Sequence, residues 1–161
     1  MKKIIIGCDN AGVEMKQAVI GVLCEEGIEY EDIGVHSAAD ATMYPDVAAE
    51  LCQRIIDSGY QTEGILVCGT GIGMAITANK FPGIYAAVCH DIYSAERARL
   101  SNDTNVMTLG ARVVGIELAK QLARHWLRLA FAPGASSAKV QRIRELENKT
   151  ILHDDLQDKC T

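Results

Sequence analysis

Short apolar runs of strand length alternate along this chain with segments in which apolar residues recur every three or four positions. Lys3–Cys8, carrying Ile4, Ile5 and Ile6 in succession, reads as a first strand covered on both faces. Val13, Met15, Val19, Val22 and Leu23 then keep helical spacing as far as Gly27, a residue suited to ending a helix. Glu29–Val35 reads as the second strand. Val47, Leu51, Ile55 and Ile56 mark a helix that opens after Pro45-Asp46 and stops near Ser58-Gly59. Strands at Gly64–Cys68, Tyr85–Cys89 and Val106–Leu109 follow, with helices starting near Gly71, Ser94 and Ile116. A last helical segment covers Ser137–Glu147. This order predicts an α/β fold, a five-stranded parallel, doubly wound sheet built from right-handed crossovers. It forms one domain over residues 1–149, with 150–161 as a polar tail.

Composition narrows the class. With 48% hydrophobic residues in 161, the chain can bury a real core as one domain. A net charge of −5 leaves no broad electrostatic footprint for nucleic acid or an anionic membrane, so an anionic ligand must meet a local basic cluster. No apolar stretch is long enough for a signal sequence or a membrane span, and a cytoplasmic location is expected. The six cysteines are scattered without a C-x-x-C pair, and they are expected to be reduced. Cys24, Cys52 and Cys89 fall on apolar faces and read as small buried hydrophobes, while Cys160 lies in the tail. Among the histidines, His36 falls in a loop, His125 on the penultimate helix and His153 in the tail. None pairs at ligand spacing, so no metal site is expected. His90, after strand four, either lines a pocket or caps the next helix.

Ligands of open α/β sheets bind beyond the carboxyl ends of the strands. That edge gathers Cys8–Gly12, Cys68–Gly73, His90-Asp91 and Gly110–Arg112. The strongest signal is Cys68-Gly69-Thr70-Gly71-Ile72-Gly73, where a cysteine leaves a buried strand and glycines turn the backbone into a helix. Free N–H groups at such a turn stabilise anions and are expected to lower a thiol pKa, which makes Cys68 a candidate thiolate and the loop a candidate oxyanion hole. The residues alone leave a second possibility equally open: a phosphate cradle with Cys68 as a core residue. The G-x-G-x-G spacing is not the dinucleotide fingerprint, and no Walker lysine-serine pair follows.

Ile6–Asp9, Tyr44-Pro45-Asp46, Gly64–Met74, Ala78-Asn79-Lys80, Ser101-Asn102-Asp103 and Leu109–Val113 together resemble the ribose-5-phosphate isomerase B and galactose-6-phosphate isomerase family, in matching order over residues 1–147. The resemblance implies a Rossmann-like α/β/α sandwich, a homodimer or tetramer with active sites between subunits, a phosphorylated sugar as substrate, and no cofactor. It implies that Cys68 shuttles a proton between C1 and C2 through a cis-enediolate with help from Thr70. The amides of Gly69, Gly71 and Gly73 would hold the oxyanion. Asp9 and Tyr44 would contact sugar hydroxyls, Asn102 would reach across the dimer to an oxygen near the carbonyl, and Arg112 would bind phosphate. Plainer roles are a helix cap for Asp9, a core aromatic for Tyr44 and a surface ion pair for Arg112.

The departures carry information too. Family members acting on ribose 5-phosphate have histidine where this chain has Asn10 and Ser101, and an arginine-rich stretch in place of Gly134–Lys139. The histidine matching Ser101 is implicated in opening the furanose ring. A tetrose 4-phosphate has its O4 esterified and closes no five-membered ring, so it needs no such group. Ser94–Asn102 and Ser136–Val140 also resemble the branch acting on D-erythrulose 4-phosphate, with phosphate on Arg112, Lys139 and Arg142. Two alternatives stand beside this expectation. One is an ordinary pentose-phosphate site with water in place of each histidine, and the other is a non-catalytic sugar-phosphate-binding subunit of a hetero-oligomer.

Overall fold

Strands β1 (Lys3–Cys8), β2 (Tyr30–Gly34), β3 (Thr62–Cys68), β4 (Ala86–Val88) and β5 (Val106–Gly110) pair in parallel in the order β2-β1-β3-β5-β4. This arrangement comes from a computed structural model that describes residues 2–157, with side chains as far as residue 151. Helices α1 (Val13–Glu25), α4 (Ile92–Leu100) and α5 (Ile116–Leu127) pack along one face of the sheet. Helices α2 (Tyr44–Asp57) and α3 (Ile72–Ala78) cover the other, completing a Rossmann-like α/β/α sandwich. Helix α6 (Ser137–Gln157) lies at the β4 edge, where Glu147 accepts hydrogen bonds from Gly83 N–H at 3.1 Å and Tyr85 O–H at 2.8 Å.

The sandwich follows from the apolar pattern. β3 is buried from Glu63 to Cys68, as a central strand covered on both faces must be. On α2, Val47, Ala48, Leu51, Cys52 and Ile55 form one buried stripe. The connection from β1 to β2 steps one way along the sheet and that from β2 to β3 steps the other. The carboxyl ends of β1 and β3 therefore flank a switch point, where loops diverge and leave a crevice.

Several expectations shift. β4 is only three residues long because its neighbours' amides pair elsewhere than in a regular ladder: Tyr85 N–H goes to Asn105 Oδ1 at 2.8 Å. α6 runs on past Glu147 to Gln157, since no glycine or proline interrupts residues 148–157. Cys24 is exposed rather than buried, because α1 turns Val19, Val22 and Leu23 inward and leaves Cys24 on its outer side. Cys52 and Cys89 are buried as expected, and Cys160 lies outside the described residues.

Two buried charges had no signal in the apolar pattern. Lys16, fully enclosed, donates to Asp32 Oδ1 at 2.5 Å and to the Val35 carbonyl at 2.9 Å, tying α1 to the end of β2. Arg99 makes a two-pronged contact with Glu63 at 3.0 and 3.1 Å, donates to the Thr104 carbonyl at 2.6 Å, and lies over the Trp126 ring at 4.3 Å. Each cation is matched by an anion and by carbonyl acceptors, which is the condition for burying charge without a large penalty.

Gly21 sits in the interior of α1 with open space where a side chain would project. Gly21→Ala should raise stability by roughly 0.5–1 kcal/mol, read as a higher urea midpoint with an unchanged slope. An unchanged or lower midpoint would contradict this placement of Gly21.

Candidate active site

The crevice between β1 and β3 opens into a cleft of about 440 Å³ lined by Asp9, Tyr44, Cys68, Gly69, Thr70, Ile72, Gly73, Ile76 and Arg112. Cys68 is the last residue of β3 and only 5% exposed. Its sulfur accepts the Gly71 N–H at 3.0 Å. This contact requires Gly71 at φ +76°, a left-handed conformation, while the atoms of Leu109 stand 3.0–3.2 Å from where a Cβ would project. Glycine is thus demanded there twice, by backbone conformation and by space.

Neighbouring elements brace the turn. Thr108, fully buried on β5, donates its hydroxyl to the Gly71 carbonyl at 2.9 Å. The Cys68 and Gly69 carbonyls accept the N–H groups of Ala111 at 2.8 Å and Arg112 at 3.0 Å. Gly110 N–H in turn donates to His90 Nε2 at 3.1 Å. His90 therefore neither lines the cleft nor caps α4. That cap is Asp91, whose carboxylate takes the Ser94 N–H at 2.7 Å and the Ser94 hydroxyl at 2.6 Å. The Ser94 contacts hold the Asp91 carboxyl below its usual range.

Glycine also makes room for the other cleft residues. A Cβ on Gly73 would come within 2.5 Å of the Tyr44 ring, so Tyr44 lies directly over this residue. The side chain of Arg112 runs over Gly69, with its Cζ and Nε 3.6 Å from a Cβ there, and among the described residues it has no carboxylate partner within salt-bridge distance. Asp9 spends Oδ1 on the Ala11 N–H at 3.0 Å, a local turn, while α1 is capped by Gly12. Thr70 Oγ1 accepts the Ile72 N–H at 3.4 Å. Among the described residues the N–H groups of Gly69 and Thr70 have no acceptor, whereas that of Gly71 is committed to the sulfur.

The expected site residues fall into two groups. Asp9, Tyr44, Cys68, Gly69, Thr70, Gly73 and Arg112 line the cleft and Gly71 completes its turn. Asn10 is exposed outside it, and Lys139 is exposed on α6. Ser101 and Asn102 follow the end of α4, which runs back along the sheet and delivers them beside the start of β5. They stand at the edge opposite Cys68 in the same chain, and Asn102 there lines a separate cavity with Asn79, Tyr85 and Val140. Arg142 pairs with Glu145 at 2.9 Å. Thr108, which holds the thiol turn from beneath, was not legible as a site residue, and for His90 the place on the binding edge was legible but the bracing role was not. Their signal is only that polar side chains stand in or next to apolar strands of the binding edge.

A thiol met by an amide at a switch-point cleft, beside an arginine with no carboxylate partner among the described residues, marks a small-molecule site of the open α/β class. Residues 4–143 match the family described as Ribose/Galactose Isomerase. The chain is 49% identical over 147 residues to the ribose-5-P isomerase B of Listeria innocua, covering 91% of this chain and 98% of that one. It is 46% identical over 149 residues to the D-erythrulose-4-phosphate isomerase of Pectobacterium atrosepticum, covering 92% and 97%. The solved ribose-5-phosphate isomerase B of Clostridium thermocellum superposes with a TM-score of 0.86 at 38% identity, over 92% of this chain and 99% of that one. The chain belongs to the Ribose/Galactose Isomerase family, and it is an aldose–ketose isomerase.

Burial pushes the thiols of Cys8, Cys52 and Cys89 up to about 11, 12 and 12, so at neutral pH they are protonated as well as enclosed. In the native protein at pH 7.5, iodoacetamide should modify Cys68 and the exposed Cys24 and spare these three, as read by peptide mass spectrometry. Modification of Cys8 as fast as Cys68 would contradict the arrangement.

Proposed function

We propose that the chain interconverts a phosphorylated aldose and its ketose through a cis-enediolate, with Cys68 as the base and D-erythrulose 4-phosphate as the preferred ketose. The observation that carries the chemistry is the 3.0 Å contact from Gly71 N–H to the Cys68 sulfur, at the mouth of a cleft holding Arg112. That amide fixes the sulfur at the cleft, where it is placed to take a proton from carbon.

The thiolate removes the hydrogen from the carbon beside the carbonyl. The C–H electron pair becomes the carbon–carbon double bond of the enediolate, and the carbonyl pair moves onto oxygen. The Gly69, Thr70 and Gly73 amides, which have no acceptor among the described residues, are donors available to that oxygen. Cys68 then returns the proton to the adjacent carbon as the second oxygen becomes the carbonyl, with a proton passing between the two oxygens and Thr70 assisting. Asp9 and Tyr44 face the cleft as partners for sugar hydroxyls, and Arg112 is the cation for phosphate. Because Cys68 has to stay reduced, a cytoplasmic setting fits.

The remaining expected residues support a site shared between two copies. Ser101 and Asn102 lie at the opposite edge of their own sheet from Cys68, so they serve a thiol only if it belongs to a partner. Lys139 and Arg142, on α6, are likewise remote from the cleft of their own chain and would add to the phosphate site from the partner. Identity does not choose the substrate, since the two named activities stand at 49% and 46%. Ser101 favours the tetrose: a serine does not exchange protons near neutrality, and a 4-phosphorylated tetrose requires no ring opening.

Two measurements test this. Cys68→Ser should lower kcat on every aldose–ketose phosphate pair by roughly 10²–10⁴-fold with the far-ultraviolet dichroism unchanged. The wild-type kcat/KM should be higher for D-erythrulose 4-phosphate than for D-ribulose 5-phosphate. Full activity in the serine variant would remove the base, and the reverse preference would remove the tetrose.

A further inference from the structure

We propose that Arg97 is a positioning residue that fixes Ser101 as a hydrogen-bond donor to an open-chain substrate, and thereby restricts the site to sugar phosphates that need no ring opening. This rests on the shared site proposed above, in which Ser101 and Asn102 approach a partner's Cys68.

Arg97 organises the end of α4 through both backbone and side chain. Its carbonyl accepts the Ser101 N–H at 2.9 Å and the Asn102 N–H at 3.2 Å. Its Nη1 donates to Ser101 Oγ at 3.3 Å. Two further contacts hold the guanidinium: Nη2 donates to Glu96 at 2.7 Å, and the Tyr93 ring centre lies 5.8 Å from Cζ. The second oxygen of Glu96 lies 3.4 Å from His125 Nε2, without a hydrogen bond between them. Beyond Asn102 the turn is closed by Asp103 at φ +54° and by Thr104 N–H on the Ala98 carbonyl at 3.0 Å. A cation in the last turn also suits the carbonyl end of the helix.

The chemistry follows from proton inventory. A serine hydroxyl has one hydrogen, and an oxygen that accepts from a guanidinium turns that hydrogen away from it. Ser101 is therefore presented as a donor, strengthened by the charge behind it. Arg97 Nε is buried and finds no acceptor among the described residues, so the guanidinium is not saturated by its own chain.

Opening a cyclic sugar breaks the O–H bond of the anomeric hydroxyl and the carbon–oxygen bond of the ring, and delivers a proton to the ring oxygen. A group that both takes and gives a proton near neutral pH does this. Arginine stays protonated, and the serine it polarises only donates. The Arg97–Ser101 pair can hold an oxygen of an open chain and cannot open a ring. The substrate class it fits is the four-carbon sugar phosphate esterified at O4.

The experiment compares wild type, Arg97→Leu, Arg97→Lys and the double variant Arg97→Leu with Ser101→His. Each is assayed for kcat and KM on D-erythrulose 4-phosphate and on D-ribose 5-phosphate, with thermal melts alongside. Loss of one charge-assisted hydrogen bond predicts a roughly 10–100-fold fall in kcat/KM for the tetrose in Arg97→Leu. Arg97→Lys should recover part of it. The double variant should turn over D-ribose 5-phosphate at least about tenfold faster than Arg97→Leu, because histidine exchanges protons near neutrality. A merely structural role would lower both substrates in proportion and leave their ratio fixed, and that result overturns the proposal. So does a wild-type tetrose rate in Arg97→Leu. If the wild-type enzyme itself prefers the pentose, the tetrose reading fails instead, and if Asn102→Ala is fully active, the shared-site reading fails.

Discussion

One backbone turn governs this molecule. Residues 68–71 leave the central strand so tightly that an amide three residues on returns to the cysteine sulfur, and only a left-handed Gly71 closes that loop. Much of the surrounding structure keeps the turn from relaxing. Thr108 grips the Gly71 carbonyl from inside the sheet, and the Ala111 and Arg112 amides hold the Cys68 and Gly69 carbonyls. His90 takes the Gly110 amide, and a Cβ on Gly110 would strike the Thr70 backbone at 2.8 Å. A turn fixed in this way holds the sulfur in one place against the cleft, which is what a group that must meet a substrate atom at short range requires.

The two edges of the sheet are built by different physics. The cleft edge consists of glycine-rich loops whose carbonyls and amides are mostly paired with one another, so side chains such as Asp9, Tyr44 and Arg112 are left to face a ligand. The opposite edge is held by charge: Arg99 clamps Glu63, Thr104 and Leu129 together, and Arg144 pairs with Asp103 at 2.5 Å. That clamp stiffens the segment from Ser101 to Thr104, the one carrying the oxygen-holding residues expected across a subunit boundary. A rigid turn presented to a partner loses less freedom on docking than a mobile one would.

The fold was legible because its signals are long and redundant. Five apolar runs of strand length, spaced by helical periods, leave a parallel sheet as the one arrangement that buries them all. Errors fell where short-range pattern stops deciding. Cys24 lies one position past the inward face of α1, and a period of 3.6 does not resolve one residue at a helix end. The burial of Lys16 and Arg99 had no sign in the sequence because burial of a cation depends on partners distant in sequence, Asp32 and Glu63. The cleft edge was legible from Cys68 and its glycines. Their individual duties were not: Gly73 clears space for Tyr44, and the Gly71 amide turns to sulfur rather than outward.

The proposed shared site would also explain how one family fold can change substrates without disturbing its reaction. The segment proposed to transfer the proton is continuous in one chain, braced by β5 and locked by glycine geometry, so alterations there are strained. The groups that meet the rest of the sugar would come from helix ends at the far edge, where Ser101 is half-buried and Asn102 and Lys139 are exposed. Such positions accept new side chains at little packing cost. Under the proposal, replacing a proton-exchanging residue there by a serine backed by Arg97 would remove ring opening while leaving the thiol turn intact. Selectivity then arises from which open-chain carbonyls are already available in solution, and the protein has only to hold them still.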